Sequence, residues 1–177
     1  FAAMKEKGAE NDHNAKHGIL QCHPRFDEFN ARNVFVRDAE QDTYAVGKWW
    51  GGDGAFWDYT SPDGRQAWKD FLTEALIDVG TDSIWDDNCE YDSLQDKDAR
   101  CCFDGKGGTI AQLKPIMSTL MCKMSAEAVV DHNPKARPYI VCRSGSAGIQ
   151  KYAQTWCGDN YTSWKTLRYN IPIITGM

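Results

Sequence analysis

The sequence predicts an α/β fold built on a parallel sheet, and three observations carry that prediction. Ser61, Pro62 and Asp63 open a helix as N-cap, first-turn proline and dipole-favoured acid. Trp68, Phe71, Leu72, Ala75, Leu76 and Val79 then recur at three- and four-residue spacing, which marks one buried face. Gly80 ends the helix, and the apolar strand Ser83-Ile84-Trp85 follows after two residues, the short connection of a β/α unit. The order then repeats, with a helix over 110–130 leading into the strand Pro138-Tyr139-Ile140-Val141-Cys142.

Phe1 to Lys7 reads as the end of an amphipathic helix closed by Gly8, and His17 to Cys22 as a short strand ended by Pro24. Residues 25–48 mix charges with Val34-Phe35-Val36 and read as an excursion over the surface. Lys48 to Gly54 is a glycine-rich aromatic loop, and Ala55 to Tyr59 a short strand before the helix at Ser61. After the strand at 83–85, residues 92–108 are polar and glycine-rich, a long βα loop. Thr109 caps the second long helix, whose stripe is Leu113, Ile116, Met117, Leu120, Met121 and Met124, with Pro115 near its start and Asn133-Pro134 breaking it. A short helix, a short strand ending at Trp156, a helix over about 162–169 and a last strand Ile171-Pro172-Ile173-Ile174 complete the order.

With 177 residues, 42% hydrophobic and 25% charged, the chain has the composition of one globular domain. A net charge of −5 and a pI near 5.3 argue against nucleic-acid binding, and no apolar run is long enough to predict a membrane helix. Lys5-Glu6-Lys7 directly after Phe1-Ala2-Ala3-Met4 predicts no secretory leader in this stretch, and the lack of an initiator methionine predicts a segment of a longer chain. The seven cysteines form no Cys-x-x-Cys pair; Cys22 and Cys142 lie on strand-like runs and are expected to be buried free thiols. Unpaired thiols favour a reducing, cytoplasmic compartment without assigning one.

Acids concentrate after the strand at 83–85, at Asp86, Asp87, Glu90 and Asp92. They read as a solvated acidic loop, as a cation site, or as chemistry at a strand end. The cation reading is weak, since an EF-hand loop needs glycine where Tyr91 stands. Asp87 lies one residue past the apolar strand, where parallel β/α folds place their chemistry. Glycoside cleavage with retention needs two carboxyls about 5–5.5 Å apart, one attacking and one protonated. The element order allows Asp87 and Asp159, 72 positions apart, to meet at strand ends on one face. Trp49, Trp50, Trp57, Trp85 and Trp156 offer faces for stacking on sugar rings, or for core packing. Arg143 is a structural ion-pair partner or a fixed donor to a carboxylate or sugar hydroxyl. No serine-hydrolase elbow, P-loop or histidine metal spacing is present, so no metal or cofactor is expected, and the Asn160-Tyr161-Thr162 sequon reads as coincidence.

Ile84-Trp85-Asp86-Asp87-Asn88-Cys89-Glu90 resembles the apolar-Trp-x-Asp-x-x-Glu motif of glycoside hydrolase family 31. Arg143 to Tyr152 resembles its Arg-Ser-x-x-Ala-Gly-x-Gln-x-Tyr motif, and Trp156 to Asn160 its Trp-x-Gly-Asp-Asn motif. Trp57-Asp58-Tyr59-Thr60-Ser61-Pro62 and Thr162-Ser163-Trp164 with Leu167 continue the likeness. The resemblance implies a (β/α)8 TIM barrel, of which this chain holds the middle strands and helices as one partial catalytic domain. It implies a retaining α-glycosidase or α-transglycosylase acting on an oligosaccharide or glycoside, or an inactive carbohydrate-binding segment. Asp87 would be the nucleophile with Glu90 its supporting acid, and Asp159 the acid/base, with Arg143, Trp156, Trp85, Trp50 and Asp58 on the substrate. Asp87-Asn88-Cys89-Glu90 stands where many family α-glucosidases read Asp-Met-Asn-Glu, so the resemblance implies no particular sugar. A partial barrel leaves sheet edges open, so low activity is expected of the segment alone.

Overall fold

A computed structural model describes residues 2–176. In chain order the first half contains α1 (Ala2–Lys5), β1 (Asp12–Lys16), β2 (Gly18–Leu20), α2 (Phe26–Ala31), β3 (Gly47–Trp49), β4 (Gly52–Phe56) and α3 (Pro62–Leu72). The second half contains β5 (Ser83–Asp87), β6 (Arg100–Cys101), β7 (Gly108–Thr109), α4 (Ile110–His132), β8 (Ile140–Cys142), β9 (Gln154–Thr155) and α5 (Trp164–Gly176). Strands β1, β5, β8 and β9 form one sheet in that order, and every pairing is parallel. The sheet and the helices between its strands are the β/α architecture the sequence predicts.

The first parallel strand is not the apolar run at 17–22. It is Asp12-His13-Asn14-Ala15-Lys16, of which only Ala15 is buried, at the edge of the sheet beside β5. The apolar run belongs to a separate antiparallel sheet of order β2-β4-β3, and β4 covers 52–56 rather than 55–59. Glycine is required in this small sheet because the strands meet over indoles: a Cβ on Gly18 would run into the Trp49 ring.

Residues 25–48 are not a surface excursion. Phe26, Phe29, Val34, Phe35, Val36 and Ala45 are buried. Their rings close around Trp57, with centroids 4.9 Å (Phe29) and 5.3 Å (Phe35) away, and Trp68 of α3 meets Trp57 at 5.7 Å. Burying each such ring contributes about 1.5–3 kcal/mol, which explains why a charged segment stays folded against the domain. Arg37, Asp38 and Glu40 supply its charged rim.

Helices α3 and α4 start where their caps predict. The Ser61 hydroxyl accepts from the Gly64 amide at 3.4 Å, and Thr109 and Gln112 make a reciprocal capping box. Beyond Leu72, α3 continues as one π-helical segment, Thr73–Ile77, before Gly80 turns the chain with φ 99°. Trp68 Nε1 donates to Ser125 Oγ of α4 at 3.1 Å, and that hydroxyl donates to Asp86 of β5 at 3.0 Å, so one chain of bonds joins both helices to the sheet.

Three further expectations are corrected. The loop over 92–108 holds the antiparallel pair β6–β7 and buries Leu94, Ala99 and Cys101. Cys142 is buried but Cys22 is exposed, because the turn after β2 carries it out of the small sheet. The strand expected at 171–174 is helical: α5 runs from Trp164 to Gly176 through Pro172, and none of its side chains is buried. Its β-branched residues read as a strand, but no neighbouring strand among the described residues pairs with them.

Candidate active site

The C-terminal ends of the four parallel strands carry a charged cluster around Asp87, the last residue of β5. Asp87 Oδ2 accepts from Lys16 Nζ and from Asn14 Nδ2 at 3.2 Å; Oδ1 accepts the Asn88 amide at 2.9 Å. Lys16 reaches Asp87 because the parallel register sets the two residues side by side, with Asn14 beside Trp85. Burial opposes the charge on Asp87 and is the strongest single influence. Hydrogen bonds from Lys16 and Asn14 and the Lys16 charge together outweigh it, holding the carboxyl below its ordinary range.

Arg143, directly after β8, joins three acids. It grips Glu90 through two bonds, Nε to Oε1 at 2.8 Å and Nη2 to Oε2 at 3.0 Å. That bond, the main influence, raises the guanidinium above its ordinary value. Its Nε lies 3.8 Å from Asp87 Oδ1, and Nη1 lies 3.6 Å from Asp159 Oδ2. Asp87 is buried at the strand ends while the Asp159 side chain is 97% exposed, one carboxylate fixed and one at the solvent edge.

The loop after β5 is tightly held. Asn88 and Tyr91 adopt positive φ of 53° and 61°, and Tyr91 is buried with its hydroxyl donating to the Trp57 carbonyl. Ser118 of α4 donates to the Cys89 carbonyl at 2.9 Å. His17 packs its ring against Tyr91 at 4.3 Å and is wholly enclosed; burial, the dominant influence, lowers its pKa to about 3, so it is neutral.

Of the aromatic candidates, Trp85 and Trp156 meet edge to face at 5.4 Å beside the cluster. Trp50 is 79% exposed and its ring lies 5.5 Å from Lys16 Nζ, so it too borders the cluster. Trp57 is a core residue, and Trp49 stacks on Phe56 at 5.1 Å. Asp58 is buried apart from these groups, and its carboxylate is occupied by the Thr60 amide at 2.9 Å and the Cys102 amide at 2.7 Å. Asp86 lies on the opposite face of β5, within the helix layer. Sequence reasoning missed Lys16 and Asn14, because a polar strand has no apolar signature; alternation at positions 14 and 16 beside 85 and 87 is the signal that places them. Among the described residues no group of three or more His, Cys, Asp or Glu side chains could hold a metal ion.

A parallel β/α sheet with carboxylates gathered at its strand ends is the arrangement found in β/α barrels. Residues 2–177 match the model of the glycosyl hydrolases family 31 TIM-barrel domain, and the chain belongs to that family. Alpha-glucosidase 2 of Bacillus thermoamyloliquefaciens is 27% identical over 146 residues, covering 80% of this chain and 18% of that protein. The lysosomal alpha-glucosidase of Bos taurus is 29% identical over 175 residues, covering 84% and 19%. Among solved structures, the GH31 dextranase of Flavobacterium johnsoniae complexed with glucose superposes with a TM-score of 0.87 at 22% identity, over 97% of this chain and 22% of that one. A GH31 alpha-xylosidase from a soil metagenome, complexed with xylose, gives 0.83 at 17% identity, over 96% and 25%. The chain thus spans about a fifth of the length of these relatives. No helix among the described residues is long and apolar enough to cross a membrane.

Proposed function

We propose that the protein is a retaining α-glycosidase in which Asp87 is the nucleophile and Asp159 the acid/base. The observation that supports this best is the convergence of both aspartates on one guanidinium, at the ends of strands in one parallel sheet. In the first step an Asp87 oxygen bonds to the anomeric carbon, the bond to the leaving oxygen breaks, and Asp159 delivers its proton to that oxygen. In the second, Asp159 takes a proton from water, the water oxygen bonds to the anomeric carbon, and Asp87 leaves as a carboxylate. A sugar hydroxyl in place of that water would give transglycosylation through the same groups. Arg143 anchors Glu90 and faces both aspartates, while Trp50, Trp85 and Trp156 offer apolar faces to the sugar.

We also read this chain as one catalytic domain that needs further barrel strands for activity. A TIM barrel closes with eight strands, and the parallel sheet here has four among the described residues. Trp85 is 37% exposed on a strand whose inner face would be covered in a closed barrel.

The test is covalent labelling with a panel of 5-fluoro-α-glycosyl fluorides, beginning with glucosyl and xylosyl forms, which match the sugars in the solved relatives. Peptide mass spectrometry of the full-length protein should place one sugar on Asp87. An adduct on another acid, or turnover with inversion, would refute the assignment. Labelling of residues 1–177 alone would refute the need for further strands.

A further inference from the structure

Lys16 is the side chain nearest to Asp87 that no part of the proposed two-step chemistry uses. Its strand lies in register with β5, so the ammonium sits beside the carboxylate rather than reaching it from a mobile loop. It donates to Asp87 Oδ2 and to Asn88 Oδ1, while the Trp50 ring lies 5.5 Å from it on the solvent side. The other cation facing Asp87 is less well placed for this task. Arg143 is 3.8 Å away, outside hydrogen-bonding distance, and its charge is directed to Glu90 by two shorter bonds. The remaining neighbours of Asp87 are Asn14, the Asn88 amide and the neutral His17, and Asp159 approaches through Arg143. Among the described residues, Lys16 is therefore the one cation hydrogen-bonded to Asp87.

We propose that Lys16 is a positioning residue for Asp87, holding its carboxylate aimed and charged in the free enzyme and stabilising it as it leaves in the second step. This rests on Asp87 being the nucleophile. A carboxylate that attacks must be ionised, and one that departs is a better leaving group when a cation meets the charge developing on it. An adjacent ammonium serves both needs. Its cost falls on the intrinsic nucleophilicity of Asp87, so the benefit lies in the acid range and in the breakdown of the covalent intermediate.

The experiment compares wild type, Lys16→Met and Lys16→Arg in the full-length protein. It follows the rate of Asp87 labelling by 5-fluoro-α-glucosyl fluoride against pH, and the reactivation rate of each isolated adduct. In Lys16→Met the acid limb of labelling should move upward by about one pH unit, a loss of about tenfold in the acid range, with a smaller change at neutral pH. Its adduct should reactivate about tenfold more slowly, and Lys16→Arg should recover most of both effects. Thermal unfolding identifies a variant that has lost its fold; Lys16→Gln then takes the place of Met in the comparison. An unchanged acid limb and reactivation rate, with wild type labelled on Asp87, would overturn the role of Lys16 and leave the nucleophile intact. A wild type labelled on a different acid would overturn both.

Discussion

Asp86 is wholly buried between the sheet and helices α3 and α4, and its replacement by asparagine is expected to stabilise the protein increasingly as pH rises. One carboxyl oxygen accepts from Ser125 and the other finds no partner among the described residues. Burial, only partly opposed by the Ser125 bond, raises the carboxyl from an ordinary 3.8 to about 8, so it is a neutral acid at pH 7. The unfolded chain releases that proton above about pH 4 while the folded chain keeps it to about pH 8. Stability from this group is complete below about pH 4 and is lost as pH rises through that window. At about 1.4 kcal/mol per unit, the loss by pH 7 is about 4 kcal/mol. The amide side chain of the Asp86→Asn variant cannot ionise, and its oxygen can still accept from Ser125. The variant's stability relative to wild type should therefore rise by about 1.4 kcal/mol per pH unit between about pH 4 and 8. Any fixed cost of burying the amide shifts that line without tilting it. Urea titrations followed by tryptophan fluorescence at several pH values would measure the slope, and parallel stabilities across about pH 5–8 would refute a buried neutral Asp86.

Two further substitutions test the core and the charged cluster. Trp57→Ala removes a ring that is 1% exposed and packed by Phe29, Phe35 and Trp68, and should cost about 3–5 kcal/mol in urea unfolding. A cost below about 1 kcal/mol would mean that the segment over 25–48 is not a true part of the core. Arg143→Lys keeps the charge but loses the two-bond grip on Glu90, and should lower kcat/KM on an aryl α-glycoside about a hundredfold with little change in unfolding midpoint. Wild-type kinetics in that variant would show that charge alone, not geometry, is what Arg143 supplies.

The parts of the fold legible in the sequence are those specified by near neighbours. Ser61 and Pro62, Thr109 and Gln112, and the stripes of α3 and α4 act within a few residues, and both helices start where those residues stand. The acids and arginine of the two motifs were equally visible, being contiguous, and the structure brings Asp87, Glu90, Arg143 and Asp159 together. What was hidden depends on pairing across long separations. β1 has one buried residue, and only its register with β5 makes it a strand. The burial of Phe29 and Phe35 arises from Trp57, more than twenty positions later, and Phe26 is buried in turn by stacking on Phe35. At the other end, Ile171, Ile173 and Ile174 show that β-branched residues specify a strand only when a sheet edge is there to receive them.

Asp86 and Asp87 show how one strand divides identical side chains between opposite tasks. Adjacent residues of a strand point to opposite faces, so one acid enters the helix layer and its neighbour the strand-end cluster. Among the described residues the helix layer buries its acid with a Ser125 donor and no cation bonded to it, which favours the protonated form; the cluster supplies Lys16, Asn14 and Arg143, which suit a carboxylate. The two therefore titrate in opposite senses across one peptide bond. The stability Asp87 contributes is present above the ordinary aspartate range and is lost as acid protonates it. The stability Asp86 contributes declines from that same range upward to about 8. Together they place the pair's most stable condition near the ordinary aspartate value of 3.8, on the acid side of neutrality. β5 is thus held most firmly where Asp87 is already ionised and Asp86 still keeps its proton. That is the condition in which the strand can present a charged carboxylate without straining the core behind it.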